Sequence, residues 1–226
     1  MPTWLQLMID SFWPLLRAGL LFTVPLTLIT FVCGIALGFF LALGRLYGPK
    51  PLVALVRFYV WLIRGTPLLV QLFLIFYGLP SAGITLDAFT AAVIGFTLNV
   101  GAYTSEVIRA TLDAVPKGQW EASYSIGMNW FQAMRRIVLP QAARIAVPPL
   151  SNTFISLVKD TSLAAAVTVP ELFQAAQRIA AATYEPLILY IETAVIYLLF
   201  SSVLSALQNK LEARLARHNQ QSGESS

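Results

Sequence analysis

The stretch EASYSIGMNWFQAMRRIVLP, residues 121–140, is a polar island between long apolar runs. Residues 111–144, which contain it, carry four basic side chains against two acidic ones. Loops with an excess of Lys and Arg stay on the cytoplasmic side of a membrane. The island therefore predicts a cytoplasmic loop, and the apolar runs around it predict a chain that crosses a bilayer.

Local signals in this loop predict a helix–Gly–helix element. Pro116 suits a first helical turn, where the missing N–H costs nothing, and Gly127 suits the left-handed residue that ends a helix. Asn129 can cap a second helix, with Gln132 at the reciprocal position of a capping box. Such an element forms a knob that a partner protein can hold. The alternative is an amphipathic loop that lies on the lipid surface.

The composition assigns the chain to the membrane class of proteins. Of its 226 residues, 57% are hydrophobic and 12% are charged, whereas soluble domains carry about 25% charged residues. No pair of Cys or His ligands indicates a metal site, and no Lys follows a Gly, which excludes a P-loop for ATP. The basic residues cluster in a few loops, as orientation signals do, so we expect no nucleic-acid partner.

The order of apolar and basic segments predicts an all-α fold with one transmembrane domain, residues 1–217, and a disordered tail, residues 218–226. The first charge-free run is long enough to cross the hydrocarbon layer of about 30 Å. The basic segment that follows it places the N-terminus outside, and the basic last segment places the C-terminus inside. The predicted spans are residues 18–44, 65–86, 88–106, 145–169 and 186–208.

Lys159 and Asp160 interrupt the fourth predicted span. Fifteen residues of helix from Arg144 place Lys159 about 22 Å along the span, and charges at such depth face a cavity or each other. A Lys beside an Asp suits a zwitterionic amino acid, and Thr161 and Ser162 add hydroxyl groups. The alternative is a structural ion pair, or a helix end near the outer surface.

Other polar residues in the spans form a second candidate set. Asn99, Tyr103 and Glu106 share one face of the third span, because they are four and three residues apart. Asn152 in the fourth span and Gln71 in the second complete the set. We expect a polar pathway lining, with hydrogen bonds that hold helices together as the alternative. Glu106 is expected near the cytoplasmic end, paired with Arg109 or Arg64.

Six positions of the island have the spacing of the EAA loop of bacterial ABC importer permeases, so the loop resembles that of this family. They are Glu121, Ala122, Gly127, Ile137, Leu139 and Pro140. Ser123 departs from the family, which most often has a second Ala there. The resemblance implies that residues 116–140 form a coupling helix that docks on an ATPase subunit. The coupling residues implied are Lys117, Glu121, Ala122, Ser123, Gly127, Leu139 and Pro140.

Three further strings resemble the polar amino-acid permeases of the histidine/glutamine type. They are RGTPLLVQLF (64–73), PPLSNTFISLVKDTSLAA (148–165) and VPELF (169–173). In the first string Arg64 marks the cytoplasmic boundary or a gate, and its Gly and Pro re-aim the helix. The second string carries the Lys159–Asp160 pair.

This family resemblance implies a type I ABC importer transmembrane domain in the bacterial inner membrane. The implied partners are two ATP-binding subunits, an extracytoplasmic amino-acid-binding protein and a second, identical permease chain. ATP and Mg would be used by the ATPase, and this chain would bind no cofactor and be no enzyme. Overall likeness favours L-cystine as substrate, with glutamine, arginine or histidine as alternatives. The rival function is an ion-coupled secondary transporter, supported by charged residues in or near the spans. A membrane scaffold or receptor is a third reading.

Overall fold

The computed structural model describes the backbone of residues 3–223 and the side chains of residues 4–213. Helices make up nearly all of this part of the chain, as expected for an all-α fold. The α-helices are α1 (Thr3–Ala18), α2 (Val24–Tyr47), α3 (Lys50–Gly65), α4 (Leu68–Phe73), α5 (Ala88–Asp113), α6 (Lys117–Ser125), α7 (Trp130–Ala133), α8 (Leu139–Asp160), α9 (Leu172–Thr183) and α10 (Pro186–Gly223). π-Helical segments occupy Gly19–Thr23, Leu74–Gly78 and Met134–Val138, and 3₁₀ segments occupy Leu79–Ala82 and Thr161–Val167.

Within the described residues, three helical stretches are long and apolar enough to cross a membrane. They are Trp4–Tyr47, Ala88–Asp113 and Pro186–Ala213. A fourth is formed if the pair Lys50–Gly65 and Leu68–Ala82, bent by 104°, counts as one span. α8 carries the fourth predicted span but is less apolar, with Pro148 and Pro149 inside it. Five spans and their orientation therefore stay predictions.

Helix bounds differ from the predicted spans because a charged residue does not by itself end a helix. A capping residue or a proline can end it. The first helix runs through residue 18 without a break, and α5 continues past Glu106 to Asp113. In the second predicted span, 65–86, the helix is interrupted at Thr66 and Pro67. The helix before this break starts at Lys50. The last helix continues to Gly223, through most of the predicted tail, and residues 224–226 lie outside the described part.

Each of the three π-turns ends two residues before a proline, at Pro25, Pro80 or Pro140. An α-helical proline ring collides with the carbonyl four residues earlier. In a π-turn an N–H donates to the carbonyl five residues back. Directly before Pro140, the Leu139 N–H donates in this way to Met134 O. The π-turns before Pro25 and Pro140 thus let those helices pass a proline without ending, whereas the helix at Pro80 ends at Ala82.

α2 and α5 form the central helix pair, and small residues bring them into close contact. Gly34 and Gly38 stand four apart on α2, and a Cβ on either would lie 2.4 Å from Val100 or 2.2 Å from Thr104. Thr104 donates its hydroxyl hydrogen within α5 to Val100 O at 2.8 Å, with Gly34 O of α2 at 3.1 Å. Small residues allow such approach where lipid offers no hydrophobic drive for helix association.

Candidate polar cavity and docking surface

A cavity of about 550 Å³ opens between the break before α4, the middle of α5 and the end of α8. Its position follows from the break, which turns α4 across α5, and from the long α8, which brings its last turns to the same level. The cavity is lined by Thr66, Pro67, Leu68, Asn99, Val100, Tyr103, Asn152, Thr153, Ser156, Leu157, Asp160 and Leu163.

Half of the eight predicted substrate-binding residues lie on this cavity wall. They are Asn99, Tyr103, Asn152 and Asp160. The helical spacing identified the first two as neighbours on one face of α5, and the structure adds α8 opposite them. Ser156, one helical turn after Asn152 on α8, lines the cavity too.

Asp160 is the one charged residue among those that line the cavity. Lys159 is exposed and does not line it, and the two side chains form no ion pair. Consecutive residues on a helix point about 100° apart, so adjacent charges do not share a target. The expected Lys–Asp pair around one ligand is not present in this geometry.

Thr161 and Ser162 lie in the 3₁₀ segment that follows α8 and do not line the cavity. The Thr161 side chain is fully buried, and its hydroxyl donates to Val158 O at 2.6 Å. Gln71 is also buried, with its carboxamide turned to the break before α4. These side chains support the cavity from behind.

Asn152 receives a hydrogen bond at its Oδ1 from Gln208 Nε2 of α10 at 2.9 Å. This bond orients the carboxamide and leaves its amino group to donate to a ligand. Asn99 donates to Gln71 Oε1 at 3.4 Å, which leaves its own carbonyl oxygen as an acceptor. The cavity therefore combines a carboxylate with amide donors and acceptors, a set that suits a zwitterion.

A second, basic pocket of about 510 Å³ adjoins the cavity at Tyr103. The Arg64 guanidinium lies 5.1 Å from the centre of the Tyr103 ring, within the range of a cation–π contact. Glu106 pairs with Arg109, as expected, and also with Arg45 of α2, but not with Arg64. Arg64 is instead held beside the aromatic ring that separates the two pockets.

The loop of residues 116–140 has the local structure that its sequence predicts. Pro116 precedes α6, and Gly127 has a φ of 81°, in the left-handed region. The N–H of Met128 donates to Ser123 O at 3.1 Å and that of Gly127 to Tyr124 O at 3.0 Å, which is a Schellman motif. Asn129 and Gln132 form the reciprocal capping box, at 2.9 Å in both directions.

The second helix of this loop continues beyond Pro140. α7, the π-turn Met134–Val138 and α8 follow one another without a gap, from Trp130 to Asp160. The predicted boundary at 145 lies inside that helix. The π-turn before Pro140 is the physical reason that the proline does not end it.

The loop presents a mixed surface for docking. Lys117, Glu121, Ala122, Gly127 and Pro140 are exposed, and Leu139 is half-buried. Ser123 is buried, and its hydroxyl donates to Gln119 O at 2.6 Å. The departure from the family at that position is thus turned towards the chain's own interior.

Aromatic and amide contacts fix this loop to the helix bundle. The rings of Tyr47, at the end of α2, and Trp130 lie 5.0 Å apart, nearly perpendicular. Gln141 of α8 donates to Gln119 of α6 at 3.0 Å. A buried apolar cluster that includes Ile108, Leu112, Met134 and Val138 lies beneath. These contacts join the loop to α2, α5 and α8.

Sequence reasoning missed partners that lie far apart in the chain. Arg45 with Glu106 and Gln208 with Asn152 are separated by 61 and 56 residues. The Gly34–Gly38 spacing was a readable signal for a close helix contact. No comparable signal marks which arginine reaches Glu106. Among the described residues, no three His, Cys, Asp or Glu side chains gather as a metal site.

Comparison with known proteins identifies the family. Residues 34–217 match the family described as "Binding-protein-dependent transport system inner membrane component". The L-cystine transport system permease protein TcyB of Bacillus subtilis (strain 168) is 52% identical over 210 residues, 92% of this chain and 90% of that protein. The arginine transport system permease protein ArgU of Corynebacterium glutamicum is 38% identical over 208 residues, 85% of this chain and 65% of that protein.

A solved structure, described as the crystal structure of an amino acid ABC transporter with histidines, has the same fold. It superposes with a TM-score of 0.85 at 37% identity, over 91% of this chain and 96% of that one. The helices described above therefore form a type I ABC importer permease fold. The chain belongs to the family of inner membrane components of binding-protein-dependent transport systems.

Proposed function

We propose that this chain carries a polar amino acid across the bacterial inner membrane as the permease subunit of an ATP-driven importer, through the cavity bounded by Asp160. The observation that carries the proposal is the lining: one carboxylate faces two carboxamides and a tyrosine across about 550 Å³. A carboxylate binds an α-ammonium group, and amide N–H groups bind an α-carboxylate. The 52% identity with a cystine permease favours L-cystine, with glutamine, arginine or histidine as the alternatives.

The proposed assembly has two copies of this chain, two ATPase subunits and an extracytoplasmic binding protein. ATP and Mg act on the ATPase, and this chain hydrolyses nothing. The exposed face of α6, with Glu121 and Lys117, is the proposed contact with the ATPase. Arg64 and Glu106, which line the basic pocket together with Tyr103, are the proposed cytoplasmic gate of the pathway. Family membership supports this assembly over an ion-coupled transporter.

Asp160→Asn tests the cavity, and Lys159→Met is its matched control, because the two residues are adjacent but only Asp160 lines the cavity. We expect Asp160→Asn to lose substrate-stimulated ATPase activity and uptake in the reconstituted complex, while the subunits still co-purify. Lys159→Met should retain both activities. Equal loss in the two variants, or normal uptake by Asp160→Asn, would show that the cavity is not the transport site.

The substrate itself is identified by titrating the cognate binding protein with a panel of amino acids in a calorimeter. Binding of L-cystine with the highest affinity supports the assignment. Preference for glutamine, arginine or histidine replaces it with that amino acid and leaves the role of the cavity unchanged.

A further inference from the structure

The break between α3 and α4 contains an unusual backbone problem. Pro67 has no N–H, so the Ile63 carbonyl, four residues before it, lacks its helical donor. The last four carbonyls of any helix are in the same position, and side chains or water have to serve them. The Thr66 hydroxyl supplies one, because it donates to Leu62 O at 2.9 Å.

Gln71 supplies the donors for the next carbonyls. Its Nε2 lies 2.7 Å from Ile63 O, 2.9 Å from Thr66 Oγ1 and 3.1 Å from Thr66 O. Gln71 is 7% exposed, so its carboxamide is turned into the protein. Gln71 therefore replaces the hydrogen bond that Pro67 cannot make and caps the end of α3.

The same side chain reaches the cavity wall. Gln71 Oε1 accepts from Asn99 Nδ2 at 3.4 Å, and Asn99 lines the cavity. Thr66 and Pro67, the residues of the break, line it as well. One buried carboxamide thus joins the 104° bend to the wall of α5 opposite.

We propose that Gln71 is a positioning residue that holds the bend between α3 and α4 and, through the bend and Asn99, sets the shape of the cavity. It does not touch the substrate. Only the transport measurement rests on the proposed function of the cavity. The capping of α3 is tested by thermal stability and does not depend on it.

Double mutants with the proline test the capping. Gln71→Leu removes the donors, and we expect a lower thermal unfolding midpoint. Adding Pro67→Ala returns an N–H to residue 67, which can donate to Ile63 O, so the midpoint should rise again. Pro80→Ala is the matched control. Position 80 lies beyond the π-turn, so an N–H restored there would not reach Ile63 O. Gln71→Leu with Pro80→Ala should stay as unstable as Gln71→Leu.

Transport separates positioning from capping alone. In the complex reconstituted with its ATPase and binding protein, Gln71→Leu should raise the KM for uptake several-fold. The Gln71→Leu/Pro67→Ala protein should recover stability but not transport, because a continuous helix through residue 67 reduces the bend. Gln71→Glu keeps the side-chain shape but lacks the N–H donors. Gln71→Glu replaces Gln71→Leu in the same stability and uptake measurements if the leucine variant is not recovered from membranes.

Three outcomes would overturn the inference. They are normal uptake by both Gln71 variants, rescue of stability by Pro80→Ala as well as by Pro67→Ala, and recovery of transport in the Pro67→Ala double mutant. The last would reduce Gln71 to a cap. If the stability results hold while Asp160→Asn transports normally, the proposed function of the cavity fails and the capping by Gln71 remains.

Discussion

At the residue scale, missing side chains decide how closely α2 and α5 pack. A Cβ on Gly38 would lie 2.2 Å from Thr104 Oγ1, 2.9 Å from Ser105 N and 3.0 Å from Gly101 O. Two of these three atoms belong to the backbone of α5, which cannot rotate out of the way. The helix pair therefore has to separate if the glycine is replaced.

Gly38→Ala should destabilise the protein by about 1–3 kcal/mol, the usual cost of overpacking. Thermal unfolding in detergent measures it. Gly118→Ala is the matched control, because no atom lies within 4 Å of its Cβ position on the exposed α6. Alanine is the better helix former by roughly 0.5–1 kcal/mol, so the control should be neutral or slightly stabilised. Destabilisation of both by the same amount would contradict the close contact.

Asp160 and Lys159 show, at the same scale, what could not be predicted from the sequence. The pair is visible as two charges within an apolar run, and the prediction that one faces a cavity agrees with the position of Asp160. Their separation was hidden, because which of two adjacent residues points inward depends on how α8 is rotated against α5. That rotation is set by packing, which no pair of neighbouring letters specifies.

At the element scale, residues 116–140 form the part of the molecule that its sequence describes most fully. Proline, glycine and a capping box act within a few residues, so their effects were readable without a fold. The exposed face of the element was not readable, because it depends on what lies beneath. Trp120 and Leu139 pack on the cluster below, while Glu121 and Ala122 stay outside.

Glu121→Lys should abolish co-purification of the proposed ATPase partner, because it reverses an exposed charge at the centre of α6. Pull-down from solubilised membranes and uptake are the measurements. Glu185→Lys makes the same charge change at an exposed residue between α9 and α10, and it should leave co-purification intact. Retention of the ATPase by the Glu121→Lys protein would remove α6 from the docking surface.

At the scale of the whole molecule, one continuous helix joins the loop of residues 116–140 to the cavity. It runs from Trp130 to Asp160, a length of about 46 Å at 1.5 Å per residue. Trp130 contacts the end of α2, and Asp160 faces the cavity. A displacement at the proposed docking end would be carried by a helix rather than by a loop.

Replacing Ala143 and Arg144, both exposed in this helix, by glycine should soften it at about 1 kcal/mol per residue without removing a buried contact. We expect the subunits to assemble and to hydrolyse ATP, with less amino acid moved per ATP. Two glycine replacements at exposed Ala181 and Ala182 of α9 should leave that ratio unchanged. An unchanged ratio in both variants would mean that the helix does not transmit the motion.

The sequence by itself determined the membrane class, the all-helical fold, the helix–Gly–helix loop with its caps, and several of the polar residues on the cavity wall. These properties depend on composition, on helical spacing and on signals within a few residues, all of which are local. Only the tertiary structure decided that α7 and α8 are one helix, that Glu106 pairs with Arg45, and that the Gln71 carboxamide bonds to the break after α3 and does not line the cavity. Each of these depends on which helix faces which, and that follows from packing between segments far apart in the chain.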